Sequence, residues 1–239
     1  MEKVIIILRG TPGDDAWCTH LRTDVARSLL DTGVPGLAIN VRDAVVSDSL
    51  MTLTTLDPPA IAIVSIWTQQ CYGPQIRTAT TLLGELCDQA AAYLVTESVP
   101  LEPPHTDPGE RTPGFANVAL LRRPTDLDEA TWLTRWHDDH TQVAIDTQST
   151  FGYTQNAVVR ALTEGAPPIS AIVEELFPIE ATSDLHAFFG AADDADLNDR
   201  MTRMVASTSA FGANRDVDTV PTSRYVPRTA FTSADTLQP

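Results

Sequence analysis

PPAIAIVSIW, residues 58–67, returns later in the chain as PPISAIVEEL, residues 167–176, with the proline pair and the Ala-Ile-Val core in register. Each is a short apolar run introduced by prolines, which reads as a strand, since Pro can open a ladder but not continue one. The flanks match as well. VIIILR (4–9) corresponds to NVALLR (117–122), and DDAWCTHLRTDVARSLLDT (14–32) to EATWLTRWHDDHTQVAIDT (129–147). Within those helical stretches Trp17 meets Trp132, Asp24 meets Asp139, Asp31 meets Asp146 and Thr32 meets Thr147, all at an offset of 115. Self-similarity of this kind marks a repeated supersecondary unit.

Between helix and proline-led strand each half carries one more strand, GLAINVRD (36–43) and FGYTQNAVVRAL (151–162). Second helices are predicted over about 74–92 and 184–207, the latter broken near the acidic AADDAD (191–196). Closing strands are predicted at AYLVTESV (92–99) and TVPTSRYV (219–226). Each half thus reads β-α-β-β-α-β, the ferredoxin-like plan, with both helices on one face of an antiparallel sheet. The strands are apolar on both alternating faces, so the bare face must be covered as well. The expected architecture is α+β: two ferredoxin-like repeats packed sheet to sheet as an intramolecular dimeric α/β barrel. Residues 1–99 form one half, a Pro-rich linker covers 100–113, the second half spans 114–228, and 229–239 is a polar tail.

A formal charge of -16 argues against nucleic acid or an anionic membrane as partner, because both are engaged through Lys and Arg. The three cysteines, Cys18, Cys71 and Cys87, form no CxxC pair and read as core fillers. The apolar run Val4–Leu8 is too short for a signal-peptide core or a membrane span, so a cytoplasmic protein is expected. Nucleotide signatures and the GxSxG elbow are missing from the sequence.

The chemistry concentrates in WLTRWHDDHTQ (132–142). Trp132, Trp136, His140 and Val143 fall on one helical stripe, which turns His140 toward the sheet and Asp138 and Asp139 away from it. HDDH is not the HExxH pattern of a zinc site, and no metal is expected. An inward imidazole can move a proton near neutrality, and a neighbouring carboxylate would orient it. Alternation along the strand leaves Glu174 and Glu175 as alternatives for that partner.

The second half, about residues 114–228, resembles the EthD-like family of the dimeric α/β-barrel superfamily. The resemblance rests on LLRRP (120–124), Trp136-x-x-x-His140, Tyr153-x-Gln155-Asn156 and IVEELF (172–177), in which Glu174 stands where such proteins tend to carry an acidic residue. Leu176 replaces an expected aromatic residue, and the acidic insert at 191–196 has no counterpart. The first half is degenerate, with Val25 in place of His140 and Ser65 in place of Glu174.

The resemblance implies a cofactor-independent lyase, isomerase or oxygenase acting on a small hydrophobic or aromatic carbonyl compound. His140 would be its acid/base and Glu174 the orienting partner. Trp132, Trp136, Tyr153, Gln155 and Asn156 would bind substrate. The alternatives are a non-catalytic carrier of an apolar metabolite and a haem protein with His140 or His186 as axial ligand. Exposed sheet edges would leave room for a homodimer of the pseudo-dimer.

Overall fold

Eight strands close into one antiparallel barrel in the order β1-β3-β2-β8-β5-β7-β6-β4. The structure, a computed structural model, describes residues 1–231; residues 232–239 of the expected tail lie outside the described residues. The first four strands are β1 (Glu2–Arg9), β2 (Gly36–Val41), β3 (Ala60–Thr68) and β4 (Gln89–Leu101); the second four are β5 (Phe115–Leu121), β6 (Gly152–Ala161), β7 (Ala171–Phe177) and β8 (Asp218–Arg228). Within each group the spatial order is the same, fourth-first-third-second. The groups meet edge to edge through β2–β8 and β4–β6, not only face to face as expected. Every strand therefore has a hydrogen-bonded neighbour on both sides, and none of the eight offers a free edge to a second copy.

Strands apolar on both faces now have their reason. Ile5, Ile7, Ile63, Val118, Leu120, Ile172 and Val220 fill the barrel interior. Val4, Ile6, Leu8, Val64 and Ile66 face outward, under helices α1 (Asp15–His20), α2 (Ala26–Asp31) and α3 (Pro74–Gly84). On the other side Ala119, Leu121, Ala171 and Val173 lie under α4 (Glu129–Thr134), α5 (Thr141–Thr147) and α7 (Asp194–Phe211). A short helix, α6 (Leu185–Phe189), ends at Gly190 in the left-handed region (φ 61°), which breaks the second helix close to the acidic insert.

Two expectations change. The helix predicted over 74–92 ends at Gly84, and Gln89–Val95 instead pair with β1. Ala90 to Ala92 favour helix in isolation, but their small side chains fit a strand packed against Ile6–Leu8, and tertiary pairing overrides propensity. The helix carrying His140 is not regular either. Leu21–Val25 in the first half and Arg135–His140 in the second are π turns at corresponding positions, the latter marked by Thr141 N–H donating to Trp136 O. The extra residue shifts the buried stripe beyond it from Val143 to Ala144 and Thr147. Among the described residues no helix is long and apolar enough to cross a membrane.

Candidate active site

The π turn delivers Trp136 and His140, both buried, to the space between the sheet and α7. A cavity of about 300 Å³ opens there, walled by Trp136, His140, Tyr153, Glu175, Met204 and Phe211. Leu50, Met51 and Leu53 also reach it, from the long connection between β2 and β3. That connection is pinned over the second half, with Leu50 N–H donating to Thr182 O (2.8 Å) and Leu53 and Thr219 exchanging backbone bonds (3.2 and 3.0 Å). The cavity of one half is thus roofed by the other.

His140 is 7% exposed, its Nδ1 lies 2.9 Å from Ser207 Oγ on α7, and its ring packs against Phe211 at 4.9 Å. Burial disfavours the imidazolium and holds the His140 pKa down at about 4. Across the cavity Glu175 projects from β7. Burial pushes its carboxyl up to about 8, and no cation pairs with it among the described residues. Turned so that its nitrogen meets acceptors, the Gln148 amide donates to Glu175 Oε1 at 3.0 Å. At neutral pH the cavity thus holds a neutral imidazole and a neutral carboxylic acid. Tyr153, opposite Glu175 in the β6–β7 register, is fully buried, and burial raises its phenol well above the ordinary value.

The carboxylate preferred from the resemblance does not meet His140. Glu174 points into the barrel interior and accepts from Arg224 Nε at 2.8 Å, in keeping with its register opposite Val118, another interior residue. Asn156 likewise lines the interior rather than the His140 cavity. Gln155 faces the helices but acts one layer out, meeting His137 Nδ1 (3.0 Å) and donating to Thr141 Oγ1 (2.8 Å). Trp132 packs beneath Trp136 (5.2 Å) and Phe211 (6.2 Å) and does not reach the cavity wall.

His137 and His140 take partners on different elements, and His186 lies outside the cavity, beside Asp194 at 3.0 Å. Among the described residues no group of three or more His, Cys, Asp or Glu converges as a metal site would require. The cysteines are free, Cys18 and Cys71 in the core and Cys87 half-buried beside it, and burial raises all three thiols. Leu21 and Val25, which the offset of 115 sets against Trp136 and His140, are buried in a continuous apolar cluster.

Ser207, Phe211 and the roof residues Leu50, Met51 and Leu53 were not singled out from sequence. Met204, Ser207 and Phe211 do share one face of α7 at helical spacing, a signal that points to a packed face but not to what it faces. The roof had no local signal, because it comes from the other half.

No family model matches the chain, and no curated protein matches it. Among solved structures the chain is similar to an anthrone oxidase-like protein, at 9% identity over 98% of this chain and 96% of that one, with a TM-score of 0.57. It is also similar to a candidate monooxygenase from Lactobacillus acidophilus NCFM, at 8% identity over 95% of each chain, with a TM-score of 0.50. At such identities the likeness is one of fold: an α+β chain built on a closed eight-stranded antiparallel barrel.

Proposed function

We propose that the chain is a cofactor-independent enzyme that moves a proton on a small apolar or aromatic carbonyl compound, as an isomerase, lyase or oxygenase begins its work. We further read its two groups of four strands as ferredoxin-like repeats. The shared strand order and the π turn at the same place in both support that reading. In it only the second repeat keeps the polar residues, as in the EthD-like proteins that residues 114–228 resemble.

One observation carries the catalytic reading: a buried neutral base and a buried neutral acid share one apolar cavity. In this reading the Nδ1–H tautomer of His140 donates to Ser207 Oγ, which leaves Nε2 to take a proton from the carbon that the carbonyl acidifies, either beside it or conjugated with it through an arene ring. Glu175 accepts from Gln148 with one oxygen and donates its own proton toward the carbonyl oxygen of the substrate with the other. The developing enolate is then met by a preorganised donor in a dry site, where such a bond is worth most. Trp136, Tyr153 and Phe211 supply the apolar walls. The names of the two similar structures, an anthrone oxidase-like protein and a candidate monooxygenase, fit a substrate whose benzylic C–H is made acidic by a conjugated ketone.

The test is deuterium uptake from D2O into anthrone and 2-tetralone, followed by NMR. The wild type should accelerate uptake, and His140→Ala should lower the rate at least about a hundredfold while remaining folded. Full activity in His140→Ala would overturn the assignment. Tight binding of either ketone with no exchange would instead favour a carrier of apolar metabolites.

A further inference from the structure

The barrel interior is not apolar throughout. Toward the end where β1 begins it opens into a second cavity, of about 520 Å³, which shares no lining residue with the His140 cavity. Its floor is Ile5, Ile63, Val118 and Ile172. Above the floor runs a polar belt in which each half contributes an ion pair, Lys3–Glu97 at 2.5 Å and Arg224–Glu174 at 2.8 Å. Glu97 also accepts from Trp67 Nε1 (3.1 Å), and Lys3 sits over the Trp67 ring at 4.6 Å. Burying two ion pairs is costly, and a well-packed apolar core would serve stability as well.

The belt is also unfinished. Asn156, 2% exposed, donates to Ile172 O, yet its Oδ1 has no partner. A buried acceptor left without a bond costs about 1–3 kcal/mol, so this atom asks for a donor. Ser65 and Thr154, both buried and both on the cavity wall, make no side-chain hydrogen bond among the described residues.

We propose that this cavity is a second small-molecule site, and that it takes a neutral aromatic ring carrying two or more hydroxyl groups. The ring lies on the aliphatic floor, one hydroxyl donates to Asn156 Oδ1, and the others exchange bonds with Ser65 and Thr154. Neutrality follows from the charge balance of the lining, Lys3, Arg224 and Arg228 against Glu97, Glu102 and Glu174: Lys3 and Arg224 already hold Glu97 and Glu174, and Arg228 donates to Val34 O, so the lining carries no net charge for an ion to neutralise. An aromatic ring is favoured over a sugar because the floor offers no partner to hydroxyls on a second face.

Orcinol, a dihydroxylated toluene, is the probe, titrated into the full chain by calorimetry with thermal melts of every variant. Saturable binding is expected, weakened about tenfold or more in Asn156→Ala and in Ser65→Val, and unchanged in His140→Ala. Benzoate and myo-inositol, added in excess, should not compete. The two belt variants are independent, so either one that melts as the wild type does is sufficient. Absence of saturable binding, competition by benzoate or myo-inositol, or loss in His140→Ala with the belt variants unaffected would overturn the proposal.

Discussion

Glu174 and Glu175 are neighbours in sequence and face opposite sides of one sheet, and that difference decides their chemistry. Glu174 finds Arg224 in the barrel interior, whereas Glu175 is buried beside Gln148 with no cation paired to it among the described residues, and burial keeps its proton on to about pH 8. From about pH 4.5 to 8 the folded chain holds a proton on Glu175 that the unfolded chain has released, so this group lowers stability progressively as pH rises through that window. Glu175→Gln should therefore gain on the wild type by on the order of 4 kcal/mol between pH 5 and pH 9. Denaturant unfolding of both proteins across that range checks it, and parallel stability curves would contradict the burial of an unpaired carboxyl. His140 acts in the opposite direction: the unfolded chain protonates first as pH falls from about 6.5 toward 4, and stability is lost there. His140 was legible in the sequence because a helical stripe fixes which way a residue faces. The choice between the two glutamates was not, because a strand pattern apolar on both sides gives no sign of which side is the barrel interior.

Among the elements, the π turn and the roof shape the candidate site. A residue inserted into the helix keeps Trp136 and His140 on the sheet side while moving the stripe beyond them to Ala144 and Thr147. The sequence showed that stripe but not the insertion, because one extra residue changes the spacing by less than helix periodicity resolves. Helix α3 was overextended for a related reason: alanine-rich residues 89–95 suit a helix until the β1 register claims them. The roof depends on the Leu53 N–H, which donates to both Thr219 O (3.2 Å) and Thr219 Oγ1 (3.0 Å). Leu53→Pro removes that donor and frees Thr219, and it leaves His140 and Glu175 unchanged. It should raise the KM for ketone exchange roughly tenfold and leave the rate at saturation nearly unchanged. An equal fall in both quantities would mean that the roof takes part in the chemistry rather than in closure.

Across the barrel, the sheet-to-sheet packing expected from the prolines and tryptophans is met by one closed sheet, and the edge pairing that closes it could not be read, because β2–β8 and β4–β6 join residues with no local pattern in common. These seams tie the halves into one cooperative unit. Cleavage at the exposed turn Asp107–Glu110, through an introduced protease site, should leave two fragments that co-elute and melt in a single transition, whereas separation on a sizing column would show that the seams are weak. The same seams bring the Leu50–Leu53 roof of one half over the His140 and Glu175 of the other, so the site exists only in the assembled barrel. If neutral His140 and protonated Glu175 act together, both show in the pH profile of anthrone deuteration. The wild-type rate should be flat between about pH 4 and pH 8 and fall on either side, and Glu175→Gln should lose the alkaline limb while keeping the acidic one. A wild-type rate that climbs through pH 8, or an alkaline limb that persists in Glu175→Gln, would contradict it.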